Sequence, residues 1–103
     1  MIELTTILLA IAGLGIGAII AIYTLNKLKS WLRGKIGNWQ NNRVLAGAFK
    51  QYVENGNYRV YPLITDISGK HILAMEGFEA EELDADLHRA FGDKNLIQID
   101  NID

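Results

Sequence analysis

The 103-residue sequence has no cysteine and a single proline. Without cysteine, disulfides, thiolate metal sites and cysteine-dependent catalysis are excluded. Charge is also scarce, since only 21% of the residues are charged while half are apolar. An apolar fraction this high argues against a disordered chain. The length allows one small domain at most.

Charged residues are absent from the 22-residue segment 4–25, which also contains no proline. A helix needs about 20 apolar residues to cross the hydrocarbon core of a bilayer. The sequence therefore predicts a single transmembrane helix within an N-terminal part that covers residues 1–26. A cleaved signal peptide is the alternative, and both the acidic start at Glu3 and the length of the apolar segment disfavour it.

The charges on the two sides of this segment predict an orientation. Lys27, Lys29, Arg33 and Lys35 follow the segment, and no Lys or Arg precedes it. Eleven of the twelve acids lie in residues 44–103. Because basic flanks stay on the cytoplasmic side, we expect the amino terminus outside and the C-terminal domain in the cytoplasm.

Small residues recur at a spacing of four in the predicted membrane helix. Gly13 and Gly17 form a G-x-x-x-G pattern, which lets a second helix approach closely. The predicted helix–helix interface consists of Ala10, Gly13, Gly17 and Ala21. The pattern leaves open whether the partner is another copy of the chain or a different protein.

Residues 27–43 form a basic juxtamembrane segment with helical spacing of its apolar residues. Leu28, Leu32 and Ile36 fall on one arc, which predicts an amphipathic helix lying along the membrane surface. The predicted lipid contacts are Lys27, Lys29, Trp31, Arg33, Lys35 and Trp39. The alternative is an ordinary flank with solvated charges. Nucleic-acid binding is disfavoured, because a membrane anchor already explains the cations.

Residues 44–103 predict a small acidic α+β domain with the order α-β-β-α-β. The pattern indicates a helix at 44–53, strands at 58–65 and 71–75, a helix at 79–91 and a strand at 96–99. Pro62 is expected at a sheet edge or beside a bulge, because it cannot donate a ladder hydrogen bond. A core this small is marginal by itself, so a neighbouring protein is expected to complete it. The predicted partner-binding residues are Tyr61, Leu63, Glu79, Glu82 and Asp86.

Catalytic patterns are weak in this sequence. Asp84 and His88 lie four residues apart, but two ligands do not make a metal site. No spacing predicts a nucleophile with its base, or a glycine-rich phosphate loop. We therefore expect a protein that is not an enzyme and that uses no metal or cofactor.

The leading functional hypothesis is a non-catalytic, single-pass accessory or scaffolding subunit of a larger membrane protein assembly. Its N-terminal helix would contact lipid, and its C-terminal domain would contact other protein subunits. Three alternatives remain open at this stage. They are a structural membrane protein that links the membrane of a lipid-containing virion to its capsid, a homo-oligomeric pore or ring former, and a regulatory sensor.

Overall fold

A computed structural model describes residues 1–39 and 43–100 of the chain. Three α-helices and six strands lie in these residues. The helices are α1 (Leu4–Ala12), α2 (Leu25–Ile36) and α3 (Ala85–Phe91), and a 3-10 turn at Gly37–Trp39 follows α2. The strands are β1 (Ala18–Tyr23), β2 (Val44–Tyr52), β3 (Tyr58–Asp66), β4 (Ile72–Met75), β5 (Phe78–Leu83) and β6 (Leu96–Gln98).

The strands form one six-stranded sheet in the order β1-β5-β3-β2-β6, and β4 also pairs with β3. β1 and β5 are parallel, whereas the other pairs are antiparallel. β4 and β5 lie against successive parts of the same edge of β3, on either side of Glu76 and Gly77. The chain is therefore a small α+β domain rather than an α-β-β-α-β unit with a separate anchor.

The predicted transmembrane helix is wrong. Its residues form the nine-residue α1, a glycine-containing loop and strand β1, which joins the sheet beside β5. None of the α-helices within residues 1–39 and 43–100 combines the length and apolar character that a bilayer crossing requires. Three further predictions depended on this helix and are wrong with it. They are the single-pass fold, the amino terminus outside the membrane and the C-terminal domain in the cytoplasm.

The local sequence explains why one long helix does not form. Gly13 caps the end of α1, and Gly15 and Gly17 follow at alternate positions. Each glycine costs a helix interior about 1 kcal/mol relative to alanine. The next segment contains Ile19, Ile20 and Ile22, whose branched side chains favour a strand.

The helix predicted at 44–53 is also wrong, because these residues form β2. Ala46 and Ala48 face one core cluster, and Phe49 belongs to the other. A strand buried on both faces has apolar residues throughout and loses the alternation that identifies a half-exposed strand. The same positions fit a helical spacing, which misled the prediction.

The helix predicted at 79–91 begins too early. Residues 78–83 form β5, and α3 starts only after Asp84. The Asp84 carboxylate caps α3 by accepting a hydrogen bond from the Leu87 N–H at 2.9 Å. It also accepts from the Leu25 N–H, at the start of α2, at 3.2 Å. Asp84 therefore holds the first turns of both helices at the end of β5.

The expected strands at 58–65, 71–75 and 96–99 are present as β3, β4 and β6. Pro62, however, lies in the interior of the sheet, paired with Ala48 of β2. Its carbonyl accepts a hydrogen bond from the Glu76 N–H at 3.3 Å, in the gap between β4 and β5. The missing proline donor thus falls where the partner strand is interrupted, and a register shift follows at Ile64/Thr65.

Both faces of the sheet are covered by helices. Leu28 and Leu32 of α2 and Leu87 and Phe91 of α3 pack on one face. Ile7 of α1, together with Ile2, packs on the other face against a cluster of sheet residues, which consists of Phe49, Tyr61 and Leu63. Full burial of such a side chain contributes about 1.5–3 kcal/mol, so residues 1–12 are an integral part of the core.

Candidate interaction surfaces

The four residues of the predicted helix–helix interface do not share a helix face in the structure. Ala10 is half-buried in α1, and Gly13 caps the end of that helix. Gly17 lies in the loop before β1, where its N–H donates to the Gly77 carbonyl at 2.8 Å. Ala21 is an exposed residue of β1. The four residues thus lie in three local conformations.

The basic segment contains the amphipathic helix that its spacing indicates, but the apolar side of this helix faces the sheet. Leu28 and Leu32 are fully buried, and Trp31 and Trp39 pack against the same cluster. The Trp31 indole N–H donates to the Glu76 carboxylate at 3.1 Å. Three of the four basic side chains on α2 are exposed and Lys29 is half-buried; the exposed ones are Lys27, Arg33 and Lys35.

The structure separates the predicted partner-binding residues into buried and exposed groups. Tyr61 and Leu63 are buried under α1 and Ile2, so residues of this same chain cover them. Glu79 is buried among polar side chains, whereas Glu82 and Asp86 are exposed. Asp86 pairs with Arg89 one turn later on α3.

Glu79 is the centre of a polar cluster on β5. One carboxylate oxygen accepts from the Asn57 side-chain amide at 2.9 Å, and the other accepts from the Arg59 Nε at 3.2 Å. The Asn55 amide lies 3.5 Å from the same oxygen as Asn57. The hydrogen bond from Asn57 and the Arg59 guanidinium hold the pKa of Glu79 below its usual range. The cluster links the β2–β3 loop to β5.

The Glu79 cluster predicts a defined pH dependence of stability. A lowered folded-state pKa stabilises the fold above the unfolded value of about 4.5, and this contribution is lost as the pH falls below it. Glu79→Gln should therefore lower the urea midpoint at pH 7, and its difference from wild type should shrink towards pH 3. Glu81→Gln, at an exposed position of β5, is the matched control and should differ little at either pH. An unchanged Glu79→Gln difference across this range would contradict the prediction.

The turn between β3 and β4 contains a serine, a histidine and an aspartate in contact. The Ser68 hydroxyl donates to one oxygen of Asp66 at 2.8 Å, and His71 Nδ1 lies 2.8 Å from the other. The hydrogen bonds from His71 and Ser68 hold the pKa of Asp66 far below its usual range. Because both side chains bond the same carboxylate rather than each other, the arrangement stabilises a turn and does not form a nucleophile–base pair.

Among residues 1–39 and 43–100, no three His, Asp or Glu side chains are grouped so as to hold a metal ion. The Asp84 carboxylate, which lies four residues before His88, accepts hydrogen bonds at the starts of α2 and α3.

The first apolar surface is the outer side of α1, here called the α1 face. Leu4 and Leu8 lie one turn apart and are 49% and 47% exposed, and Leu9 beside them is 73% exposed. Met1, at 91%, extends the same N-terminal region. Since Ile7 packs inward, α1 is apolar both towards the sheet and away from it.

The second apolar surface is the outer edge of β1, here called the β1 edge. In the described part of the chain, β1 pairs with β5 alone and ends the sheet. Ile19 is 71% exposed and Ile22 is 43% exposed. A groove of about 260 Å³ runs between this strand and α2, and its lining consists of Ala18, Ile20, Tyr23, Lys27, Trp31 and Phe78. The glycines followed by branched residues were the sequence signal for this strand.

Comparison with protein-family models, with curated proteins and with solved structures gave no match for this chain.

Proposed function

We propose that this chain is a non-catalytic accessory subunit that binds another protein through the α1 face. The observation that carries the proposal is the exposure of Leu4, Leu8 and Leu9 on a helix whose opposite side is already buried. Several exposed large apolar side chains on one short helix of a folded domain are a feature of protein–protein contacts. The membrane anchor of the earlier hypothesis is not part of the proposal, since that segment lies in the domain.

The spacing of Leu4 and Leu8 fits a helix that docks in a groove, and Leu9 is the most exposed side chain of the three. Side chains at i and i+4 lie on one side of a helix, and an apolar groove on a partner recognises them as anchors. The Thr6 hydroxyl donates to the Lys70 carbonyl at 3.3 Å, and the Glu3 N–H donates to the Gly69 carbonyl at 3.1 Å. These bonds fix α1 on the domain, so binding would not require α1 to be ordered first.

Replacement of Leu9 by lysine tests this function. The variant should fold normally, because Leu9 is exposed, and should lose at least tenfold of the partner that co-purifies with the chain at native expression. Ile19→Lys is the matched control, since Ile19 has nearly the same exposure but lies on the β1 edge. It should retain the partner.

Two results would contradict the proposed function. One is recovery of the wild-type chain with no protein other than copies of itself. The other is an equal loss of the partner in the Leu9→Lys and Ile19→Lys variants, which would remove the α1 face as the specific contact.

A further inference from the structure

Within residues 1–39 and 43–100, no strand lies beside the outer row of β1 backbone groups, although the Ile22 carbonyl in this row accepts from the Lys27 side chain. The Gly17 N–H donates to Gly77, and the Tyr23 carbonyl accepts from Asp84 at 3.1 Å, so both residues direct their backbone groups towards β5. Backbone groups alternate between the two sides of a strand. Ala18, Ile20 and Ile22 therefore direct their N–H and C=O groups away from the sheet.

We propose that this edge pairs antiparallel with the β1 edge of a second copy of this chain, so that the two sheets become one. The surface is separate from the α1 face, and the proposal goes beyond the proposed function. The six residues of β1 contain no charge and no proline, so the strand itself lacks two of the features by which proteins block strand pairing, and only Lys27 of α2 reaches its outer row in the described residues. A two-fold symmetric contact uses the same surface on both copies.

The sequence of β1 is complementary to itself in one antiparallel register. The outward-facing row is centred on Ile20, so a two-fold axis there places Ile20 opposite Ile20 of the second copy. Ala18 then lies opposite Ile22 of the second copy, and Ile19 lies opposite its Ala21. Each isoleucine outside the centre is therefore opposite an alanine. Ile22 of the second copy, opposite Ala18, can extend into the groove beside Trp31.

Charges at the two ends of the contact are also complementary. The Lys27 ammonium donates to the Ile22 carbonyl at 3.0 Å, which places a positive charge at one end of the β1 edge. The Glu76 carboxylate lies near Gly17, just before β1 begins, since a Cβ built on Gly17 would be 3.6 Å from one of its oxygens, while its other oxygen accepts from the Trp31 indole. The antiparallel register brings Lys27 of each copy to the Glu76 end of the other. The Ile22 carbonyl has a second lone pair for the strand contact.

A second copy fits this edge better than an unrelated strand. A strand from another protein would pair with the same backbone row. The alternation of Ala and Ile, however, is complementary to β1 itself, and so is the approach of Lys27 of one copy to Glu76 of the other. We therefore expect a dimer of twice the 11.5 kDa chain mass in sedimentation equilibrium of the full chain.

Ile19→Lys should weaken this dimer at least tenfold, because it places a lysine opposite the apolar Ala21 of the other copy. Leu9→Lys is the matched control and should remain dimeric. A wild-type monomer at 100 µM, or a dimer that Ile19→Lys leaves intact, would overturn the proposal. Leu9→Lys tests the α1 face and Ile19→Lys tests the β1 edge. Each variant is the control for the other, so failure of one proposal leaves the other open to its own test.

Cysteine cross-linking tests the register, and the chain has no native cysteine to interfere. Ile20→Cys should form a disulfide-linked dimer, because the two Ile20 residues would be a hydrogen-bonded antiparallel pair with Cα atoms about 5.5 Å apart, within the range that disulfides span. Ile19→Cys alone should form much less, although Ile19 is more exposed, whereas an equal mixture of Ile19→Cys and Ala21→Cys should form the mixed dimer. Equal cross-linking of Ile19→Cys and Ile20→Cys, or capture of a different protein by Ile20→Cys with no self-linked dimer, would contradict the register and the second copy.

Discussion

Ile7→Ala is expected to lower the free energy of unfolding by about 2–5 kcal/mol, the usual cost of truncating a large side chain in a packed core. Ile7 of α1 is fully buried against the sheet, in the cluster with Tyr61 and Leu63. Chemical denaturation of the variant and the wild type, followed by circular dichroism, measures the difference.

Leu9→Ala is the control for this loss. Leu9 is on the same helix and has the same apolar character, but its exposure places the expected change within about 0.5 kcal/mol. Similar small effects at Ile7 and Leu9 would contradict the packing of α1 on the sheet.

Gly47→Ala is the second substitution for which we expect a large effect, a destabilisation of about 1–3 kcal/mol. Gly47 lies in β2 opposite Gln98 of β6. A Cβ at this position would collide with the Ile97 carbonyl oxygen and would lie 2.8 Å from the Cδ1 of Ile2. Because one of these atoms belongs to the backbone, β6 would have to move. Thermal unfolding gives the measurement.

Gly34→Ala provides a control of opposite sign. Gly34 lies within α2, and apart from its chain neighbours and the backbone of its own helix no atom lies within 4 Å of the position of an added Cβ. Alanine in a helix is favoured over glycine by about 0.5–1 kcal/mol, so this variant should be more stable than the wild type. A loss at Gly34 or a gain at Gly47 would contradict the packing described for α2 or β6.

Elements set by local sequence were predictable. The strand β3 has branched and aromatic residues between two turns, and α2 has leucines at helical spacing with basic residues on its other side. The turn at 66–70 contains the aspartate, serine and glycine that such turns favour. These signals need no knowledge of distant residues.

The N-terminal segment and β2 were not predictable in the same way. An uncharged apolar segment has a similar composition whether it crosses lipid or packs within a domain. Its glycines and branched residues disfavour a long helix, but the pairing of β1 with β5 depends on residues distant in the sequence. β2 is covered on both faces, so its periodicity disappears. Asp84 was available as a helix-start signal, but the acids before it extended the apparent helix into β5.

The residues of the candidate surfaces also divide into those that local sequence indicates and those that depend on distant contacts. Tyr61 and Leu63 were recognised as apolar residues in need of cover, but the sequence did not show that Ile2 and Ile7 supply it. The β1 edge was not predicted, because its outward-facing backbone follows from strand pairing and not from side-chain pattern. The exposed leucines of α1 could not be distinguished from lipid-facing residues, because they lie in the segment predicted to be a membrane helix.

The pairing of β1 with β5 also has a consequence for the kinetics of folding. Ala18 lies beside Phe78, so this parallel contact closes a long stretch of intervening chain. Contacts between residues so distant in sequence are slow to form, since the entropy of the loop is lost before the contact is made. During synthesis, β1 leaves the ribosome well before β5 and has no strand beside it in the meantime. The ribosome-bound chain would therefore be the species most in need of a chaperone.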